Sequence, residues 1–238
     1  MSARGLLVVA AVGAGIVVTQ RLGRTYGSTA EERAAALPGD DIVKRPTAVT
    51  DHGITIAVGP EHIWPWLVQM GWGRAGWYTA RWVDRLLFPA NGPSADRIIP
   101  ELQDIGIGTF IPDGPPETEC GLIVEGLEPE RALVLHSTTH LPLSWREHCS
   151  ADWSWAFVLT PLPDGGTRFH FRSRWVTAPW WLTAGVTATI VPADFIMSRD
   201  MLRGVKERAE RLAREDAAGR SRAQGPAAMS EQGEGASR

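Results

Sequence analysis

The stretch DWSWAFVLTPLPDGGTRFHFRSRW, residues 152–175, decides the fold of this protein. Apolar and polar side chains alternate on both sides of the turn sequence Asp164-Gly165-Gly166, which is typical of two antiparallel strands joined as a hairpin. We predict a buried face that is mainly aromatic and consists of Trp153, Trp155, Phe157, Leu159, Phe169, Phe171, Ser173 and Trp175. The opposite face of the second strand carries Arg168, His170, Arg172 and Arg174. We expect this second face to be solvated, as in a half-buried antiparallel sheet.

The chain before this hairpin predicts one early strand, two short helices and then further strands. ITIAV, residues 54–58, has the alternation of a strand, and Gly59-Pro60 ends it. IWPWLVQM and TARWVDRLLF have helical spacing. The segments GIGTFIP, CGLIVEGLEP and RALVLHS are separated by turn sequences and predict three more strands.

The chain after the hairpin predicts a long helix. We expect it to begin at Pro192, because proline is favoured in a first helical turn. Its apolar stripe consists of Phe195, Leu202, Val205, Ala209 and Leu212. A strand, a helix-loop-helix, several antiparallel strands and a long terminal helix follow the order of the helix-grip fold. We therefore predict an α+β protein whose sheet wraps around its C-terminal helix.

Four blocks of sequence resemble a known family. They are ITIAVGPEHIWPWLVQMGWGRAGWY, ADRIIPELQDIGIGTFIP, WAFVLTPLPDGGTRFHFRSR and FIMSRDMLRGVKERAERLA. Together they are similar to the START-like (SRPBCC) superfamily, in particular to its actinobacterial, polyketide cyclase/dehydrase-like members, over residues 37–213. The resemblance implies an apolar cavity between sheet and helix, but no single reaction, because the superfamily includes lipid carriers, hormone receptors, aromatase/cyclases and chaperone regulators. Those relatives carry Gly-Asp where this chain has Gly108-Thr109, so any role of that carboxylate is absent.

The length and net charge of the chain limit the classes of protein to which it can belong. A chain of 238 residues fits one domain with terminal extensions. A formal net charge of -3 provides no broad basic surface, so we expect no nucleic-acid partner. Cys120 and Cys149 are far apart in sequence, and we interpret them as buried thiols, with a single disulfide as the alternative. His136 and His140 are not spaced to share one face, so we predict neither a metal site nor a cofactor.

The termini predict a membrane attachment and a disordered tail. GLLVVAAVGAGIVVT, residues 5–19, is uncharged but shorter than the ~20 residues of a straight membrane-spanning helix. We favour an uncleaved anchor within residues 1–24 over a signal peptide or a helix packed on the domain. Residues 25–46 form a polar connector, 47–214 the domain, and 215–238 a disordered tail. The arginines that follow the apolar run predict a membrane-associated protein with its domain on the cytoplasmic side.

Aromatic residues are the main candidates for contact with a ligand. In the predicted fold, the glycine-rich loop GWGRAGWY helps to gate the cavity, and aromatic walls suit an apolar ligand. The candidate ligand-binding residues are Trp72, Trp77, Tyr78, Arg97, Glu101, Trp153, Trp155, Phe169 and Phe171. Arg97 and Glu101 would anchor a polar end of the ligand. Alternatively, they pair with each other at helical spacing, while Asp96 caps a short helix.

Three functions remain open from the sequence. The first is binding of a hydrophobic small molecule or lipid without chemistry. The second is a cyclase/dehydratase-like enzyme that uses Glu101, Asp96 or His136 as an acid or base. The third is a membrane-tethered structural or partner-binding protein whose cavity is filled by its own tryptophans. We also expect Trp180 and Trp181 to be partly exposed and to be further candidates for membrane contact.

Overall fold

The computed structural model describes residues 15, 18, 20–87 and 89–224. The strands are β1 (Ala48–Ile56), β2 (Phe110–Pro112), β3 (Gly121–Glu128), β4 (Ala132–Ser137), β5 (Ser150–Pro161) and β6 (Thr167–Ala178). The α-helices are α1 (Ala30–Ala34), α2 (Trp64–Val68), α3 (Arg81–Leu87) and α4 (Trp180–Gln224). Short 3-10 turns lie at Pro60–His62, Pro100–Leu102, Pro116–Thr118 and Leu143–Trp145.

All six strands form one antiparallel sheet, and α4 packs across one face of it. The strand order is β1-β6-β5-β4-β3-β2, so the first and last strands of the chain are neighbours. Helix α4 contacts both of these strands. This arrangement confirms the predicted α+β helix-grip fold.

The β5–β6 hairpin has the predicted turn and alternation. Phe157 pairs with Phe171 across the two strands, and their rings stack at a centroid distance of 4.8 Å. Gly165 lies at the turn with φ +82°, a conformation that glycine adopts without steric cost. The inward aromatic face is buried, as predicted, and includes Phe157, Phe169, Phe171 and Trp175. Each fully buried side chain of this size contributes roughly 1.5–3 kcal/mol to folding.

The expectation that the arginine face of β6 is solvated is wrong. Arg172 is 3% exposed and His170 is 5% exposed, because residues 28–45 lie across this outer face of the sheet. Arg168 pairs with Glu32 at 2.6 Å, and the Arg174 guanidinium donates to the backbone oxygen of Val43 at 3.0 Å. The polar connector is therefore packed on the domain. We call residues 28–45 the N-terminal strap.

Arg172 is the centre of the contacts between the strap and the sheet. Its guanidinium donates to Asp51 at 2.7 Å and to Asp40 at 2.8 Å, both through charge-assisted hydrogen bonds. It also donates to the backbone oxygens of Glu32, Arg33 and Ala35 at 3.0, 3.2 and 2.9 Å. All three nitrogens of the guanidinium are thus used. This arginine ties the strap to β1 and β6.

Helix α4 is longer than predicted at both ends. It begins at Trp180 rather than at Pro192, and Pro192 lies inside it. Proline removes one helical hydrogen bond, and the helix continues through it. At the other end, residues 215–224 are helical, which corrects the prediction that the disordered tail begins at residue 215. Residues 225–238 of that tail lie outside the described residues.

The predicted N-terminal anchor lies mostly outside the described residues. Residues 20–25 are helical and pack beside α4, where the side chain of Gln20 donates to the Thr187 oxygen at 3.3 Å. Gly23 lies against Val191, and the backbone oxygen of Gly23 contacts the His52 ring at 2.7 Å. Residues 20–25, which follow the apolar run, are thus packed on the domain beside α4.

Candidate functional site

A small crevice lies between the sheet and α4. It is lined by Trp77, Thr79, Trp155, Phe171, Asp194, Met197, Ser198 and Met201. Its volume is about 20 Å³, which is enough for one water molecule. The predicted binding residues Trp77, Trp155 and Phe171 therefore meet at one place, and side chains of α4 close that place from the other side.

The aromatic wall of the crevice comes from the hairpin and from the glycine-rich loop. Trp155 packs edge-on against Phe171, with ring centroids 5.9 Å apart. Trp77 packs edge-on against Trp155 at 5.3 Å. The loop brings Trp77 to this position by folding back on itself, with a β-bridge between Gly71 and Gly76. Both glycines have positive φ, of +129° and +77°, where other residues are strained.

The helical wall of the crevice is one face of α4. Asp194, Met197, Ser198 and Met201 are spaced by three, four and seven residues, which aligns them along the helix. Met201 is 6% exposed. Methionine side chains are unbranched and polarisable, so they adapt to the shape of a neighbour. This wall is the part of the crevice that can best change shape.

Asp194 supplies the polar end of the crevice. It is 8% exposed, and it accepts hydrogen bonds from Thr50 at 3.0 Å and from Ser198 at 3.2 Å. Burial raises the pKa of Asp194, and the nearby His52 only partly opposes this. Asp194 was not among the site residues predicted from the sequence. The available signal was that it is the sole charged residue between Trp180 and Ser198.

Two buried hydrogen-bond donors at the crevice have no partner. The indole nitrogens of Trp77 and Trp155 are both buried, and neither makes a hydrogen bond within the described part of the chain. Trp66 and Trp175 share this property, but they do not line the crevice. An unsatisfied buried donor costs about 1–3 kcal/mol. A hydrogen-bond acceptor placed within reach of these two indole nitrogens would remove that cost.

Trp153 and Phe169 belong to the packed core beside the crevice. Trp153 donates its indole N–H to Ser173 at 2.6 Å, and Phe169 is fully buried against Phe157. Tyr78 is also buried, and its hydroxyl donates to the Trp66 oxygen at 2.9 Å. Burial raises the pKa of Tyr78. These side chains support the wall of the crevice without lining it.

The remaining predicted site residues lie elsewhere. Trp72 is half-buried and lines a separate surface hollow of about 750 Å³ with Phe110 and Cys120. Arg97 and Glu101 are exposed, and within the described residues no ion pair joins them. The 3-10 turn near them begins at Pro100 and not directly after Asp96. The prediction that Asp96 caps a short helix is therefore wrong.

The other two catalytic candidates, Asp96 and His136, each contact an ionisable side chain. Asp96 accepts from Arg208 of α4 at 2.9 Å. The ring of His136 contacts Asp152 at 2.7 Å on the neighbouring strand. Neither residue lines the crevice. Cys120 and Cys149 are free thiols, as predicted, but they are half-buried and not fully buried as expected.

A histidine cluster that the sequence analysis did not identify lies beside the aromatic core. The two ring nitrogens of His140 contact Asp113 at 2.8 Å and Ser137 at 2.7 Å. Burial alone would lower the pKa of His140, but the hydrogen bond to Asp113 and the contact with Cys120 raise it to about 9. These contacts join the segment after β2 to the segment after β4.

Comparisons with known proteins identify no family for this chain. No protein-family model matches the sequence, and no curated protein matches it. Solved structures with a similar arrangement include protein MLL2253 from Mesorhizobium loti, at 15% identity and a TM-score of 0.40, over 69% of this chain and 98% of that one. Hypothetical protein jhp0584 from Helicobacter pylori is 10% identical with a TM-score of 0.45, over 74% and 96% of the two chains. The Aha1 dimer from Colwellia psychrerythraea is 18% identical with a TM-score of 0.32, over 65% and 94%.

Proposed function

We propose that the protein binds an apolar molecule carrying a hydrogen-bond acceptor, between its sheet and α4, without chemical conversion. The observation that carries this proposal is the pair of unpartnered indole N–H groups on Trp77 and Trp155. Both residues line the same crevice, whose other walls are mainly apolar. One oxygen atom of a bound molecule would satisfy these donors while its apolar part packs on Phe171.

Binding requires the crevice to enlarge, and its methionines provide the means. A volume of about 20 Å³ admits a water molecule but no lipid or aromatic compound. Met197 and Met201, on α4, lie across the crevice from Trp77 and Trp155. Rotation of their flexible side chains would open space along the helix without breaking the sheet.

Binding without chemistry is favoured over acid–base catalysis. Glu101, Asp96 and His136 all lie outside the crevice. Asp194 does line it, but both of its oxygens already accept hydrogen bonds from Thr50 and Ser198. We therefore assign Asp194 to the polar end of the binding site.

A second candidate function is supported by the small volume of the crevice. In this alternative the tryptophans fill the interior, and the protein serves as a membrane-attached structural or partner-binding protein. A closed aromatic core with room for one water molecule fits this alternative without any movement of α4.

Native mass spectrometry of the full-length protein, after incubation with a total lipid extract, distinguishes the candidates. We expect a retained, chemically unchanged small molecule. A retained product that differs from the molecules supplied would favour the enzyme. If the protein retains nothing, the binding proposal is wrong and the filled interior stands.

A pair of variants tests the site itself. Trp77→Phe keeps an aromatic ring but removes the N–H donor, so retention should weaken by the ~1–3 kcal/mol of one buried hydrogen bond, roughly 5- to 150-fold. Trp82→Phe is the matched control, because Trp82 is 55% exposed on α3 and does not line the crevice. Equal retention by both variants would exclude this site.

A further inference from the structure

One end of the molecule exposes an aromatic surface that the crevice does not explain. Trp180 is 81% exposed, Trp181 48% and Trp145 45%. Trp145 and Trp181 pack edge-on with ring centroids 6.1 Å apart, and Trp180 precedes Trp181 as the first residue of α4. The predicted exposure of Trp180 and Trp181 is thereby confirmed. We call these three residues the tryptophan patch.

The patch continues into an uncharged stretch of helix. The first twelve residues of α4, WWLTAGVTATIV, carry no charged side chain. Helix α4 is apolar and long enough to cross a membrane, yet only 22% of its most apolar stretch is buried. The core helix of a soluble domain buries most of such a stretch. At the start of α4, Trp180, Trp181, Ala184 and Ala188 are exposed, whereas Leu182 and Val191 are buried.

A second segment of the chain packs beside this part of α4. Gln20 contacts Thr187, and Gly23 lies against Val191. Because residue numbers increase together in both pairs, residues 20–25 run parallel to α4. Within this segment, Gln20 lies nearer than Gly23 to the start of α4, since Thr187 precedes Val191 along the helix. Residues 5–19, which carry no charge, precede this contact.

We propose that this end of the protein docks on a lipid bilayer, with the tryptophan patch at the level of the headgroups and the apolar N-terminal run in the acyl chains. Indole rings are favoured at the membrane–water interface because they are apolar with one polar group. The run has 15 residues, about 22 Å if helical, and is too short to cross a ~30 Å hydrocarbon core. The patch supplies the second contact that such a short anchor needs. This proposal does not depend on ligand binding in the crevice.

A soluble partner protein is the competing occupant of the surface. The bilayer is favoured because an uncharged run, residues 5–19, directly precedes Gln20, which contacts α4 across a sequence separation of 167 residues. Lipid is a partner that suits both an uncharged run and exposed indole rings.

Tryptophan quenching by brominated lipids tests the proposal on the full-length protein. The vesicles consist of phosphatidylcholine and phosphatidylglycerol whose acyl chains are brominated close to the headgroup. We expect the emission of the unmodified protein to be quenched. The W180S/W181S variant should lose about two-thirds of that quenching, since it lacks two of the three tryptophans of the patch.

The W82S variant is the matched control. Trp82 is as exposed as Trp181 but lies on α3, so its loss should leave the quenching unchanged. W180S alone guards against a folding defect, because that side chain is 81% exposed and its loss removes almost no packing. No quenching of the unmodified protein, or equal quenching in W82S and W180S/W181S, would overturn the proposal.

Discussion

Replacing Arg172 by alanine tests whether the N-terminal strap is part of the folded domain. The substitution removes five hydrogen bonds and leaves Asp51 buried with His170 as its remaining ionic partner. Of the arginines on the sheet, only Arg174 still contacts Asp40 after the substitution. Removing one partner of a buried ion pair costs about 3–5 kcal/mol, because the other charge stays buried. For a domain of this size, that corresponds to a melting temperature lower by about 6–20 °C.

The assay is thermal melting followed by circular dichroism, with Arg131→Ala as the control. Arg131 also has an ion pair, with Glu128 at 3.6 Å, but its side chain is 78% exposed. Its loss should change stability by about 0.5 kcal/mol or less. If the Arg172 and Arg131 variants melt at the same temperature, the strap does not stabilise the sheet as the structure indicates.

The remaining predictions concern the core, two titrating groups and the strap. Phe171→Ala should lower the free energy of unfolding by about 3–5 kcal/mol through lost burial and a residual cavity. A decrease smaller than that caused by Arg131→Ala would contradict the assignment of Phe171 to the core. The pKa of His140 is about 9 in the folded protein against 6.5 ordinarily, so its stabilisation is complete below pH 6.5 and is lost as the pH rises through 9. Between pH 6.5 and pH 9, the melting temperature of His140→Gln should fall less than that of the unmodified protein. The pKa of Glu32 is lowered to about 2, chiefly by its hydrogen bond with an arginine. The contribution of Glu32 to stability is therefore present above pH 4.5 and is lost as the pH falls through 2. In an acid titration of stability, Glu32→Gln should lack this loss. A chain that begins at Leu37 lacks Glu32 and α1 and should melt at a lower temperature than one that begins at Gly27.

The sheet was largely predictable because its signals are local. Alternation and a turn sequence place Phe157 opposite Phe171, and no distant part of the chain is needed to see this. The outer face of β6 was not predictable in the same way. Alternation identifies Arg172 as lying on the polar face, but it does not reveal which segment covers that face. The partners of Arg172 lie more than 120 residues away.

The start of α4 shows the limit of local rules for helix ends. Pro192 is favoured in a first helical turn, so the sequence rule begins the helix there. In the structure, packing outweighs that preference, since Leu182 packs on Leu141 and Ala151 and holds the preceding turns in the helix. Tertiary contacts override local propensity at this position.

The candidate site was predictable on its sheet side and not on its helix side. Trp77, Trp155 and Phe171 were recognisable because aromatic residues cluster in the loop and on one strand face. Asp194 and Met201 were missed, because the spacing of apolar residues shows which helix face is buried but not which buried residues border empty space. That depends on how closely α4 approaches the sheet.

During synthesis of the chain, the strap can dock on the sheet only after β6 has been made. Arg172 donates to the backbone oxygen of Glu32, a residue made 140 positions earlier. At about 5–20 residues per second, the strap must wait roughly 7–28 s before β6 exists. During this interval the strap lacks its arginine partners on β6, so the last strand completes both the sheet and the docking of the strap. A chain truncated before residue 172 would therefore lack the contacts of Arg172 that join the strap to the sheet.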